Sequence, residues 1–246
     1  MGGLAHTIEE AGVATTQISL VRIHTEAIQP PRALWVPFDL GRPFGPPDNA
    51  AFQKKVVTIA LKLLEADAGP VLEDYPEDTP PHQGEQEGWT CPINISLPKE
   101  KLSGADAVEA ALKDEVGQLA SWYDRALEKR GGRTTVGVSG LEIDEIVKLV
   151  ASLFGDSPPA SPRDDLTLMD ALKLGTEDLK AFYTEAASAQ PGDASGAQLM
   201  DWYWGETKTG ETVLKLRTIC AKNDDPMMQL LGNILLVPTT QLKRSA

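Results

Sequence analysis

The 246-residue chain carries 23 basic against 36 acidic residues, a formal net charge of −13. That field repels a polyanion, so nucleic-acid binding through the phosphate backbone is excluded unless a local basic patch overcomes it. The two cysteines, Cys91 and Cys220, stand far apart in different surroundings and offer neither a disulfide framework nor a metal spacing.

No apolar run approaches the roughly 20 residues of a membrane span, and MGGLAHTIEE lacks the basic and apolar blocks of a signal peptide. The expectation is a cytoplasmic protein in a reducing compartment. Met1-Gly2-Gly3 suggests myristoylation, but His6 stands where Ser or Thr is wanted.

In chain order, residues 4–11 (LAHTIEEA) read as a short helix closed by Gly12. Residues 15–23 read as a strand, with Ile18, Leu20 and Val21 among Thr and Ser, ending over Arg22 to Thr25. Pro30 and Pro31 forbid helix, and Leu34, Trp35 and Val36 make a second extended segment. A Gly/Pro loop over 39–47 leads to Asp48, an N-cap for a helix bearing Phe52, Val56, Ile59, Ala60, Leu63 and Leu64 that ends near Asp67. The acidic, proline-rich stretch 70–90 reads as solvated loop, and Trp89 to Leu97 as an edge strand.

Ser103 with Asp106 opens a predicted helix to about Lys129, and TTVGV (134–138) is a short strand candidate. Ser139 with Glu142 is a capping box for a helix striped with Ile143, Ile146, Val147, Val150 and Phe154. The stretch 156–165 (DSPPASPRDD) has the prolines and charge of an interdomain linker. Beyond it the pattern is helical: caps at Thr167, Thr176, Ser195 (with Gln198) and Asp225 before Pro226, and a break over Gly205 to Gly210. Of Trp202, Tyr203 and Trp204, two are expected in the core, since three consecutive residues on a helix do not share one face.

The fold class expected is therefore α/β: a small, mostly parallel sheet flanked by helices over residues 1–156, a linker at 157–164, and an all-α C-terminal domain over 165–246.

No GxGxxG, Walker, HExxH, CxxC or GxSxG motif occurs, and three histidines with two cysteines do not make a rich soft-metal site. No cofactor and no metal is assigned. His24 is the best single candidate for acid–base work, flanked by Arg22 and Glu26, because a carboxylate near an imidazole orients it and raises its pKa. Its alternative is a histidine satisfied at a strand terminus. Arg22, Arg32 and Arg42 form the one basic cluster and suit a small anionic ligand, with Arg32 and Arg42 as bidentate clamps. Their alternative is pairing with Glu9, Glu26 or Asp39. Cys91 is the one cysteine in a loop-like setting and so the candidate thiol, against an inert packed role; Cys220 falls on the apolar side of a helix and reads as core.

Three stretches in order, EEAGVATTQISLVRIHTE, PPRALWVPFDLGRPFGPP and RGGRTTVGVSGL, resemble short bacterial proteins grouped with the selenoprotein B family of the glycine, sarcosine, betaine and D-proline reductases. The resemblance covers about residues 4–155. It implies an α/β fold and reductive cleavage of a carbon–nitrogen bond, with a selenocysteine or cysteine attacking the substrate α-carbon. In that family the redox residue lies in a loop just before a helix ending in a phrase like EEAG. Here that helix begins near Leu4, after Met1-Gly2-Gly3, and no cysteine occupies the place.

Three readings follow. The first is an oligomeric reductase-like subunit acting on a small amino-acid-like or carboxylated substrate, with the nucleophile supplied by a second chain. The second is a self-contained metal-assisted or acid–base enzyme using His24, Glu26 and the arginines. The third is a non-catalytic binding or scaffold subunit.

Overall fold

A computed structural model describes residues 2–78, 104–157, 159–192, 194–238 and 241–242. The chain divides into two compact units, residues 1–83 and 84–246. The first is α/β. Helix α1 (Gly2–Glu10) leads to strand β1 (Gln17–Ser19), helix α2 (Arg22–Ile28), strand β2 (Arg32–Trp35), helix α3 (Ala50–Lys62) with a 3₁₀ turn at Leu63–Glu65, and strand β3 (Val71–Asp74). The strands form one parallel sheet in the order β1-β2-β3, with Ile18 opposite Leu34 and Ala33 opposite Leu72.

Gly12 takes a positive φ of 85° and its amide donates to the Glu9 carbonyl, the left-handed stop expected after α1. The predicted strand over 15–23 is cut short at Ser19. Strict alternation fails at the apolar pair Leu20-Val21, and Arg22 pairs with Glu26 one turn on, which favours helix. His24 therefore sits on a helix and not at a strand end.

The helix cap before α3 is Asn49, whose side chain accepts from the Phe52 amide at 3.1 Å, while Asp48 takes a left-handed φ of 60°. Gly45 is obligatory for this loop, since a Cβ there would stand 2.4 Å from the Phe52 ring. Phe38, Phe52 and Tyr75 pack ring to ring, at centroid distances of 5.5–5.8 Å, over Leu34, Val36 and Val56. The acidic stretch expected to be loop opens with β3. Val71 and Leu72 are the apolar residues that pair with β2, and the charged Glu73 and Asp74 stay exposed.

Every element described in the second unit is a helix: α4 (Ala105–Lys129), α5 (Ile143–Ser152), α6 (Leu168–Ser188), α7 (Gly196–Glu206), α8 (Lys208–Ala221) and α9 (Pro226–Leu230), which runs into a π-helical turn at Leu231–Leu235. The apolar stripes of α4 and α5 bury against α6, α7 and α8 in one core that holds Leu112, Leu119, Ile146, Leu172, Leu179 and Leu216. The division of the chain falls between 83 and 84, and the proline-rich 157–164 belongs to the helical unit. There Arg163 donates to the Ser139 carbonyl at 2.8 Å and pairs with Asp165.

Other local expectations also shift. TTVGV forms no strand, because its amides are taken by a helix side chain as described below. Thr176 caps nothing. It lies buried inside α6 and its hydroxyl donates to the Leu172 carbonyl, while neighbouring Gly175 lets α5 approach: a Cβ there would meet Ile146 at 2.9 Å. Glu142, not Ser139, caps α5, in a box with Glu145. Ser195 with Gln198, and Asp225 before Pro226, cap as expected. Trp202, Tyr203 and Trp204 are all buried, because neighbouring helices cover α7 on more than one side. Cys220 is wholly buried, and burial pushes its thiol pKa up to about 11, as suits a core residue. No described helix is long and apolar enough to cross a membrane.

Candidate functional site

The first unit holds an open cavity of about 710 Å³ along the free edge of β1, within the range of about 300–1,000 Å³ usual for small-molecule sites. Its floor is the run Thr16 to Val21. Its walls are His24, Thr25 and Ile28 of α2, Val57, Ala60 and Leu61 of α3, Gly2 of α1, and the loop residues Pro43 and Phe44.

The strand aims its side chains to two sides. Gln17 and Ser19 face α1 and α2: the Gln17 carboxamide lies 3.6 Å from where a Gly2 Cβ would stand, and the Ser19 hydroxyl is bonded to the Thr25 hydroxyl. Ile18 and Leu20 face the opposite way, into the core shared with Phe52 and Val56. Helical walls thus rise on both faces of an edge strand.

The polar groups of the cavity divide into committed and free. Ser19 and Thr25 both reach the Val21 carbonyl, at 3.3 and 3.1 Å, and Thr16 donates to the Ala60 carbonyl at 2.9 Å. These bonds hold the β1–α2 turn and tie β1 to α3. Among the described residues, nothing hydrogen-bonds the Gln17 carboxamide or the His24 imidazole, and His24 is exposed. Among the described residues the lining contains no Asp, Glu, Lys, Arg or Cys.

The expected site residues are only partly brought together. His24 lines the cavity, but Glu26 does not orient it. Two residues apart on a helix, they point to different sides, and Glu26 pairs with Arg22. Arg22 also bonds Asp74 at 3.0 Å, and that hydrogen bond is the main reason its pKa rises above the ordinary guanidinium value.

Arg32 is spent on the fold. It meets Glu9 at 2.7 Å and the Ala66 carbonyl at 3.0 Å, and only a tenth of its side chain is exposed. Glu9 in turn accepts from the Thr15 amide and hydroxyl, which with Arg32 hold its pKa below the usual carboxylate range. Arg42 is exposed and, among the described residues, its guanidinium has no partner; the next two residues, Pro43 and Phe44, line the cavity. Pairing with Glu9 and Glu26 therefore accounts for two of the three arginines, and Arg42 alone stays available. Cys91 lies outside the described residues. No group of three metal-ligating side chains occurs among the described residues.

Three buried carboxylates in the helical unit escaped sequence reasoning. Asp178 is fully buried and accepts from the amides of Gly137, Val138 and Ser139 at 2.8–3.0 Å and from the Ser139 hydroxyl at 2.5 Å. Two turns along α6, Glu185 accepts from the Thr135 amide and the Thr134 and Thr135 hydroxyls, each at 2.8 Å, and pairs with Arg130 at 3.1 Å. Desolvation raises the Glu185 pKa, but these donors outweigh it and leave the carboxyl below its ordinary value. Glu115 accepts from the Tyr183 hydroxyl and from the amides of Lys208 and Thr209 at the start of α8. A signal for the first two was present: Asp178 and Glu185 sit seven residues apart on the apolar stripe of α6. All three are filled by internal donors and offer no opening to a ligand.

No family model, no curated protein and no solved structure matches this chain.

Proposed function

We propose that this chain is one subunit of a reductase-like assembly that acts on a small amino-acid-like or carboxylated substrate, the attacking thiolate or selenolate coming from another chain. The observation that carries the reading is the cavity on the β1 edge. It is apolar, with two polar groups and an arginine beside it that have no partner among the described residues, and those residues bring no cysteine to its lining. A site with binding groups and no attacking group suits a chain that holds a ligand for a partner to act on.

In this reading Arg42 meets the substrate carboxylate and His24 moves a proton at the cavity mouth, while Arg22 and Arg32 belong to the fold. The helical second unit, including the C-terminal helices from about residue 165, is the all-α domain of the subunit. The assembly is cytoplasmic and oligomeric, with no nucleic-acid or membrane partner. A second reading, a non-catalytic binding subunit, draws on the commitment of Arg22, Arg32 and Glu26 to ion pairs, which leaves few groups for chemistry.

Native mass spectrometry of the protein isolated without oxygen from its own cells decides between them. The expected spectrum contains a second chain bearing a reactive cysteine or selenocysteine. A monomer or homo-oligomer alone sinks the split-reductase reading.

A further inference from the structure

We infer that the free edge of β1 is a docking site for one extended, uncharged, apolar segment of another polypeptide, which joins the sheet as its fourth strand. The inference rests on the multi-chain reading above and says how the second chain is held: its segment lies along β1 inside the cavity, and the substrate carboxylate of that reading stays outside, at the mouth beside Arg42.

The edge itself is the first observation. Among the described residues β1 pairs only with β2, and the Ser19 carbonyl accepts from the Val36 amide at 2.9 Å. Backbone groups alternate along a strand, so Gln17 and Ser19 turn theirs toward β2 and Ile18 turns its N–H and C=O outward. No described residue bonds them. Such an unpaired edge is a template for another strand.

The walls are the second observation. Val57, Leu61 and Phe44 rise on one side and are 37, 53 and 43% exposed, and Ile28 rises on the other at 46%. A strand sends side chains alternately to both faces, so two apolar walls call for a segment apolar at every position, the pattern of a strand buried between helical layers.

Charge is the third. In a chain of net charge −13 none of the described residues brings an Asp, Glu, Lys or Arg side chain to the cavity lining. A Lys, Arg, Asp or Glu brought into it would be desolvated without a partner. A small apolar molecule satisfies the walls but leaves the Ile18 N–H and C=O unpaired; a strand satisfies both at once.

The test uses the full-length ¹⁵N-labelled chain and the capped peptide acetyl-Val-Thr-Val-Ile-Val-amide at about 1 mM, weak strand addition being measurable there. Amide hydrogen exchange at Ile18 is expected to slow by about tenfold or more. The same peptide N-methylated at alternate positions, and the exposed-site variant Leu61→Asp, should both abolish that protection. Unchanged exchange overturns the docking site. So does equal binding of the N-methylated peptide, which means pocket filling without strand pairing. Protection of Ile18 before peptide is added also overturns it: if the protection rises with protein concentration the edge belongs to a second copy of this chain, and if it does not the edge belongs to a segment of the chain itself.

Its fate separates from that of the subunit reading. A partner retained in the native mass spectrum, with Ile18 exchanging in that complex as fast as in the free chain, removes the docking site and keeps the subunit. Peptide protection in a chain that isolates alone keeps the docking site and removes the subunit.

Discussion

The α/β unit and the helical unit use polar groups in opposite ways. In the helical unit Asp178, Glu185 and Glu115 are buried and every oxygen is occupied by an amide, a hydroxyl or a guanidinium. In the α/β unit the groups around the β1 cavity are half open: Gln17, His24 and Arg42 have no side-chain partners among the described residues, and none of those residues pairs with the Ile18 backbone. A buried carboxylate with all its donors supplied is rigid and closed to ligands, because any competitor must replace internal bonds already in place. Unspent polar groups on an apolar surface are what a binding site needs. Unpartnered polar groups therefore gather in the smaller unit around the cavity, although the larger one has the more conspicuous polar chemistry.

The largest effect expected is at Asp178. Asp178→Ala strips three amides and a hydroxyl of their acceptor, with the amide and hydroxyl of Ser139 left buried, and should destabilise the helical unit by about 3–5 kcal/mol. Urea unfolding followed by far-ultraviolet circular dichroism measures it. A loss below about 1 kcal/mol, typical of a surface change, breaks the contrast between closed and open groups. Glu115→Gln should cost about 2 kcal/mol, since its amide nitrogen would confront the donors that now point at the carboxylate. The loop 134–139 should keep its native chemical shifts in that variant, because Asp178 and Glu185 still hold it.

Glu185 makes the same contrast testable by pH. Its folded pKa lies below the ordinary 4.5, so its contribution is fully present above that value and is lost as pH falls through the lower folded pKa. The wild-type chain should lose stability over that acid window more steeply than Glu185→Gln does. Superimposable profiles remove Glu185 as an anchor of the 130–135 loop.

Arg32 marks the border between the two uses of polar groups, since it lies in the α/β unit yet is committed like the carboxylates of the other. Arg32→Met should cost about 1–2 kcal/mol by stranding Glu9 and releasing the Ala66 carbonyl. Affinity for small carboxylates should be unchanged. A large drop in affinity without loss of stability returns Arg32 to the site.

Much of this division was legible in the sequence and part was not, for identifiable reasons. The strand positions of Ile18 and Leu34, the caps at Ser195 and Asp225 and the burial of Cys220 follow from period, cap chemistry and composition, all of them local signals. The domain division did not follow, because prolines at 157–164 look the same in a linker and in an ordered connection. What settled it was the burial of α4 and α5 against α6, a long-range fact. Arg32 and Arg42 are the same residue type in the same proline-rich stretch. Only the fold brings Glu9, 23 residues back along the chain, against one of them and leaves the other free. The TTVGV stretch has strand composition, but its amides are claimed by carboxylates on a helix some 40 to 50 residues further on, and pattern reading has no access to such a partner.

The smallest effect on the fold, and the one that most sharpens the comparison, is expected at Arg42. Exposed and unpaired among the described residues, Arg42→Ala should change stability by less than about 0.5 kcal/mol, as surface substitutions do. In the substrate reading the same change should weaken binding of a small monocarboxylate, phenylacetate for example, by about twofold to fivefold. An exposed charge contact is worth about 0.5–1 kcal/mol, less than the buried bidentate clamp that the sequence suggested. Titration calorimetry against wild type and Arg22→Ala separates specific contact from net charge: both variants remove one positive charge, but the Arg22 guanidinium is engaged by Glu26 and Asp74, whereas that of Arg42 has no partner among the described residues. Equal losses in the two reduce Arg42 to part of the general field. A loss confined to Arg42→Ala places the ligand carboxylate at the mouth of the β1 cavity, within reach of the Pro43 and Phe44 loop.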